Sequence, residues 1–350
     1  MKFSNNLILK SNSITARSGV HAENMEALAR GLNFWVDAPL NIDRFTLDRH
    51  GKISDSLTAE LLDSFDIKPK NKKYFERSST LLFSVIKDYG PLLKSIDGSE
   101  VGLYCGVGPA NARIDDFREW AAGIEGADEF YPSMMASSVI KLLPNIVMSN
   151  LSINTGWRGE NAIFSSCASA FFDALNSLLT AFENGSSRIA AAGSVSAPFE
   201  YFNMDSYSRF FGADFFDPPL CETASSMLLC TPDFYAGRLE NTGMEPEGRI
   251  LSIDSYKTPE GLFKRSDIKN FEKLARDFLE SENYDFTDTL YFKTHPAACG
   301  NFLTGGEPVN VMSLVYSLNA AGEKGFAVSV NIDYFGNLHA VKAGGRASQK

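Results

Sequence analysis

Cysteine, histidine and asparagine are the residues of this chain whose types and placement can do chemistry, and Cys167 stands foremost. It lies in Asn161-Ala-Ile-Phe-Ser-Ser-Cys-Ala-Ser-Ala-Phe-Phe-Asp-Ala-Leu. The apolar run Ala162 to Phe164 reads as a buried strand, and Ser165-Ser166 as a tight turn. From Ala168 the apolar residues fall at Phe171, Phe172, Leu175, Leu178, Leu179 and Phe182. Those gaps of three and four mark one face of a helix. Asn184-Gly185 supplies a left-handed stop. Cys167 therefore sits where a strand hands over to a long helix. Backbone N–H groups there lack intrahelical partners, and the helix dipole favours negative charge. A thiol so placed can have its pKa drawn below its free value of about 8.5, which is a nucleophile's position. The same residue also fits a small buried hydrophobe, because free Cys is among the most buried residue types. The stretch alone leaves both readings open.

Four histidines are present, His21, His50, His295 and His339. His295 stands in Leu290-Tyr-Phe-Lys-Thr-His-Pro-Ala-Ala-Cys-Gly300, just past an apolar strand. A position at a strand's end favours function over core packing. Asn337 and His339 lie in Ile332-Asp-Tyr-Phe-Gly-Asn-Leu-His-Ala-Val341, where Gly336 lets the backbone approach a neighbour. A thiolate attacking a thioester needs a lowered thiol pKa, donors for the oxyanion, and a neutral imidazole or amide for an enolate. His21 and His50 lie among polar residues and read as solvated surface.

The elements that must position these residues alternate. Leu7 to Leu9 reads as a short strand. Residues 57 to 95 read as helical, with Tyr74, Leu81, Leu82, Val85 and Ile86 on one face and Gly90-Pro91 ending the run. Val101 to Val107 reads as a buried strand that leaves through Gly106-Val-Gly108-Pro109, a turn matching neither GxGxxG nor a P-loop. Pro144 opens a helix at its first turn, where a missing N–H costs nothing. Further strands are expected at 188–193, 224–230, near Ile250, at 290–293 and at 326–332, with helices at 267–280 and 309–318. Phe199 to Phe216 holds eight aromatic residues without evident period and reads as a loop wall lining an apolar tunnel or a subunit contact. The polar stretch 231–248 marks the boundary between two halves, residues 1–235 with Cys167 and 236–350 with His295. Strand and helix alternate in both, which argues for α/β layers.

Composition narrows the function classes. At 350 residues, 44% hydrophobic and 22% charged, the chain is an ordinary globular protein. Its net charge of -10 disfavours nucleic acid and anionic membrane as partners. The cysteines, Cys105, Cys167, Cys221, Cys230 and Cys299, have no CxxC pairing and no metal-ligand spacing. The absence of a disulfide framework, a leader-like N-terminus and a long apolar run points to a reducing, cytoplasmic setting.

The segment Leu142 to Ser196 resembles the β-ketoacyl-acyl-carrier-protein synthases of the thiolase superfamily. Leu143-Pro144-Asn145 is similar to the motif that opens their helix before the nucleophile, and Gly156-Trp-Arg-Gly-Glu-Asn161 to their turn into the nucleophile strand. Ser166-Cys167-Ala168-Ser169-Ala170 resembles their Ala-Cys-Ala-Ser-Gly. Asn184-Gly185 and Ala192-Gly193 fall at their helix stop and next strand end. The resemblance implies an α/β thiolase fold, five-layered αβαβα, built from two duplicated βαβαβαββ halves and usually dimeric. The second half departs from the pattern. The elongating synthases carry two histidine motifs and a Gly-Phe-Gly-Gly loop, whereas this chain offers Thr294-His295-Pro-Ala-Ala and Tyr334-Phe335-Gly336-Asn337. Chain-initiating synthases use Cys, His and Asn, and Gly336-Asn337 resembles the turn that bears their Asn. His339 resembles a non-catalytic residue after the family's terminal Asn.

The resemblance implies Cys167 as nucleophile, His295 as enolate or oxyanion donor and Asn337 as its partner. It makes the N–H groups of Cys167 and near Gly336 the oxyanion hole, and Phe335 a gate. It implies no cofactor of the protein's own, the substrate riding on the phosphopantetheine of an acyl carrier protein or on CoA. The partners it implies are that carrier protein, expected to dock on a Lys/Arg patch, and a second ketosynthase-like chain in a homodimer or heterodimer. Three functions follow as expectations. One is condensation of an acyl group on Cys167 with a malonyl-type unit, in fatty-acid or polyketide biosynthesis. Another is acyl transfer without decarboxylation. The third is a partner subunit resembling chain-length factors.

Overall fold

The computed structural model describes residues 5–17, 21–108, 140–141, 143–166, 169–211, 218–259, 262, 270–295, 303, 306–333 and 336–346. Eleven strands are present among them, nine in one sheet with the order β5-β4-β6-β7-β1-β8-β11-β10-β9. The first half contributes β1 (Asn6–Thr15), β4 (Val101–Val107), β5 (Asn161–Ser165), β6 (Ile189–Ser196) and β7 (Thr223–Cys230). The second contributes β8 (Gly248–Lys257), β9 (Thr289–His295), β10 (Phe326–Ile332) and β11 (Asn337–Gly345). Only three residues of β1, Asn6 to Ile8, pair with β8 to join the halves. A small hairpin, β2 (Leu40–Ile42) with β3 (Phe45–Leu47), stands apart.

The pairings repeat. β4 is parallel to β6, β6 antiparallel to β7 and β7 antiparallel to β1. In the same way β9 is parallel to β10, β10 antiparallel to β11 and β11 antiparallel to β8. The principal helices are α1 (His21–Ala29), α2 (Asp55–Ser64), α3 (Arg77–Ile86), α4 (Asn145–Thr155), α5 (Ala170–Asn184), α6 (Tyr201–Phe211), α7 (Phe271–Ser281) and α8 (Gly306–Ala321). The first half thus runs β1-α3-β4-α4-β5-α5-β6-β7, the expected βαβαβαββ. The second runs β8-α7-β9-α8-β10-β11, one βα unit shorter among the described residues: β5 has no counterpart.

Three cores separate five layers. α3 and α4 cover the outer face of the first half-sheet with Leu81, Leu82, Val85, Val147 and Leu151. α7 covers the outer face of the second with Phe271, Ala275 and Leu279. Between the half-sheets lie α1, α5 and α8, whose Met25, Leu28, Phe171, Leu175, Leu178, Val309 and Met312 form the central core. The expected helix face is the buried one: Phe171, Phe172, Leu175, Leu178 and Leu179 are at most 1% exposed. Each such side chain contributes about 1.5–3 kcal/mol. Gly185 stops the helix at φ 72°, and Pro144 precedes α4 as its N-cap residue.

Three expectations change. Residues 201–211 form helix α6, not a loop. Its buried residues Asn203, Met204 and Tyr207 keep helical spacing, but aromatics placed all round obscure that period in the sequence. Residues 212–217 lie outside the described residues. β11 was not expected as a strand, because His339 and Lys342 interrupt its apolar run. Both are buried there, and Lys342 donates to Asp285 O, Asp285 Oδ2 and Thr287 O. α1 also lacked a clear signal.

Candidate active site

The turn from β5 into α5 lies over the end of β4. Ser166 N–H donates to Val107 O (3.1 Å), which continues the β4–β5 ladder past Ser165. Ser165 Oγ donates to Gly108 O (3.0 Å). Ser169 N–H donates to Ser166 Oγ (2.9 Å), so a side chain closes the turn that α5 starts from. Cys167 and Ala168 lie between these serines in sequence and outside the described residues. Gly106 lets the helix head come this close: a Cβ there would stand 2.6 Å from Phe171 N and 2.7 Å from Ala170 C. The glycine read as a turn signal is thus the place where helix crosses strand.

The second half brings its strand ends to the same helix. His295 closes β9 and is the register partner of Asn331 on β10; the imidazole of His295 lies outside the described set. Asn331 also faces His339 across the β10–β11 ladder. Asn331 Nδ2 lies 2.6 Å from Glu307 Oε1 in the first turn of α8. The other oxygen of Glu307 accepts the Phe171 N–H at 2.9 Å. A polar chain therefore runs from β10, beside His295, through Asn331 and Glu307 to the first turn of α5.

His339 is 7% exposed, and its ring stacks on Phe172, with centroids 5.1 Å apart. Its Nδ1 is 2.8 Å from Ser255 Oγ, and its Nε2 has no hydrogen-bond partner among the described residues. Burial lowers its pKa, with Asp173 and Asp333 opposing, so the ring stays neutral. Burial drives Glu307 the other way, well above the usual carboxylate range. The Phe171 and Phe172 N–H groups oppose that rise, and Asp173 and Asp333 add to it.

Gly336 adopts φ 75° at the turn between β10 and β11. Its N–H donates to Asp333 O (3.2 Å), and its carbonyl accepts from Thr258 N (2.9 Å) and Oγ1 (2.8 Å). Asn337 N–H donates to Asp333 Oδ1 (2.8 Å), and its amide Nδ2 to Asp333 Oδ2 (2.6 Å). Asp333 thus draws Asn337 into the hairpin turn, and the asparagine beside His295 is Asn331. Phe335 lies outside the described residues. Asn331 and Glu307 were missed in the sequence. A buried acid opening an apolar helix was the one visible signal, and its meaning depends on which strand lies opposite.

His21 departs from the solvated-surface reading. Its Nε2 is 3.1 Å from Ser11 Oγ and its Nδ1 2.9 Å from Ser13 Oγ. Burial pulls its pKa down to about 4 against the Glu247 carboxylate. His50 is half-buried and edge-on to Phe199, with centroids 6.0 Å apart. Among the described residues no group of acidic, Cys or His side chains could hold a metal ion. No described helix is long and apolar enough to cross a membrane.

Residues 65–214 match the model of the β-ketoacyl synthase N-terminal domain. Over those residues the chain is similar to that domain. Its ketosynthase fold extends over the whole length. The ishigamide ketosynthase/chain length factor superposes with a TM-score of 0.71 at 14% identity, covering 98% of this chain and 99% of that one. A β-ketoacyl synthase from Burkholderia phymatum STM815 gives 0.71 at 11%, covering 99% and 100%. A type II polyketide ketosynthase, solved with its acyl-carrier protein and bound to a hexaketide, gives 0.69 at 12%, covering 99% and 100%. No curated protein matches this ketosynthase-fold chain in sequence.

Proposed function

We propose that this chain is a condensing enzyme of fatty-acid or polyketide type, with Cys167 as nucleophile. The observation that supports the reading is the bond from Ser169 N–H to Ser166 Oγ at the start of buried helix α5, beside Gly106; Cys167 falls between these serines in sequence. Helix-head N–H groups and the dipole stabilise a thiolate there. The thiolate attacks an acyl thioester on a phosphopantetheine arm, the carbonyl electrons move onto oxygen, and collapse expels the carrier thiolate, which takes a proton. The same site then accepts a malonyl thioester, which loses carbon dioxide to give an enolate. The enolate carbon attacks the acyl-Cys167 carbonyl and expels the Cys167 thiolate. His295, at the end of β9, stabilises the enolate as a neutral donor.

The Gly336 and Asn337 N–H groups are turned onto Asp333. We therefore assign the oxyanion to the Cys167 N–H and to the Phe335 side of the Gly336 turn, with Phe335 as gate. Asn337 holds that turn. Carrier protein or CoA supplies the acyl group, and no cofactor of the protein's own takes part.

β5 is an edge strand with half-buried Ala162, Ile163 and Phe164, a surface suited to a second ketosynthase-like chain. The shortened second half supports one other reading, that of a chain-length-factor-like partner in a heterodimer. The discriminating experiment supplies acylated enzyme with radiolabelled malonyl-carrier protein. Condensation releases labelled carbon dioxide and forms a β-ketoacyl product, simple acyl transfer releases none, and a partner subunit alone does neither.

A further inference from the structure

The proposed nucleophile precedes helix α5 in sequence, and the first N–H groups of that helix have no intrahelical partner by construction. Phe171 N–H is one of these, yet it does not meet water. It is bonded to a carboxyl from the other half of the molecule, Glu307 Oε2, at 2.9 Å. Glu307 is 0% exposed and sits in the opening turn of α8, a helix whose first ten residues are all buried. Its second oxygen is 2.6 Å from the Asn331 amide. A buried carboxyl normally has a cation beside it, but no lysine or arginine among the described residues forms an ion pair with Glu307. The titratable groups that act on it are Asp173 on α5 and Asp333 just past β10, and the register partners of its Asn331 contact are His339 on β11 and His295 on β9. A carboxyl without a counter-ion is costly packing, and a leucine or alanine would fill a helix–helix contact at less cost. Its position is explained by what it fastens.

We propose that Glu307 is a positioning residue for the head of helix α5: its carboxyl ties the Phe171 N–H of α5 to Asn331 of β10, holding the start of the helix that follows Cys167 in sequence in register with the strand end that closes at His295. This rests on Cys167 as nucleophile and adds how the two halves are held in catalytic alignment. A neutral carboxyl leaves the positive end of α5 available to the thiolate, whereas a fixed anion beside Phe171 would raise the thiol pKa. The 2.6 Å separation at Asn331 suits an O–H···O contact, with the proton on Oε1 and the amide turned over. Glutamine reproduces that arrangement in shape and charge. Aspartate, one methylene shorter, withdraws from Phe171.

Two measurements on the full chain test this. In the unmodified protein, amide hydrogen exchange at Phe171 is protected although the residue lies in a first turn; exchange at the unprotected rate overturns the proposal. Iodoacetamide alkylation is then followed across pH by peptide mass, with added glutathione as the reference thiol. Glu307→Gln keeps the Cys167 profile of the unmodified protein. Glu307→Asp raises its midpoint by about one unit and slows Cys167 alkylation at neutral pH about tenfold, the worth of one lost hydrogen bond, while the glutathione rate is unchanged. An Asp variant that overlays the unmodified protein, or a Gln variant as impaired as the Asp one, contradicts the proposal. Alkylation reads the thiol whether or not acyl transfer occurs. Failure of the nucleophile assignment would appear separately, as an acyl adduct that persists in Cys167→Ala.

Discussion

His295 and Asn331 are register partners on the parallel strands β9 and β10. That pairing places the histidine at the strand end whose neighbour reaches, through Glu307, the head of helix α5. The two halves therefore meet at the site by a hydrogen-bonded path as well as by the packed faces of α5 and α8.

Replacing His295 by alanine separates the two chemical stages. Acylation of Cys167 needs the helix head and persists. Decarboxylation and condensation need the imidazole and fall about 10²–10⁴-fold, the usual weight of one general acid–base or donor group. Paired assays of acyl-enzyme mass and carbon dioxide release read the two stages; equal loss in both contradicts the assignment.

Gly106→Ala tests the crossing of α5 over β4. The added methyl would lie 2.6 Å from Phe171 N and 2.7 Å from Ala170 C, both backbone atoms of the helix head. The helix head must shift, at about 1–3 kcal/mol of stability. Urea unfolding measures that loss, and Cys167 alkylation slows with it. A variant of unchanged stability means that the helix does not rest there.

Much of this architecture is legible in the sequence, and the reason is local. The α5 face announces itself because Phe171, Phe172, Leu175, Leu178, Leu179 and Phe182 repeat at helical spacing and Gly185 ends them. The β5 strand, helix α5 and the family resemblance come from one continuous stretch. What the sequence hides is non-local. β11 carries a buried lysine and a buried histidine whose partners lie in other strands and loops, so its apolar pattern is broken. α6 hides its period under aromatics on every side. Asn331 and Glu307 become site residues only once β9 is paired with β10 and α8 is laid against α5. Asn337 is the asparagine that the resemblance of Gly336-Asn337 to a Gly-Asn turn implies, and Asp333 holds its amide in the hairpin.

Acid should destabilise the fold through His21. Its pKa of about 4 lies below the ordinary value of 6.5, so between these values the unfolded chain binds a proton that the native one excludes. Stability is therefore complete above pH 6.5 and falls as the pH drops toward 4. The loss reaches about 3 kcal/mol at 1.36 kcal/mol per pH unit. His21→Asn keeps a polar side chain between Ser11 and Ser13 but does not titrate. Urea midpoints at pH 7 and pH 4.5 should differ less in this variant than in the unmodified protein. An identical pH slope would contradict the assignment.

The most direct test of the account is the intact mass of the protein after exposure to a panel of acyl-carrier thioesters. The account predicts one acyl adduct, mapped by peptide analysis to Cys167 and absent from Cys167→Ala. No adduct from any donor, or an adduct that survives the substitution, would contradict it.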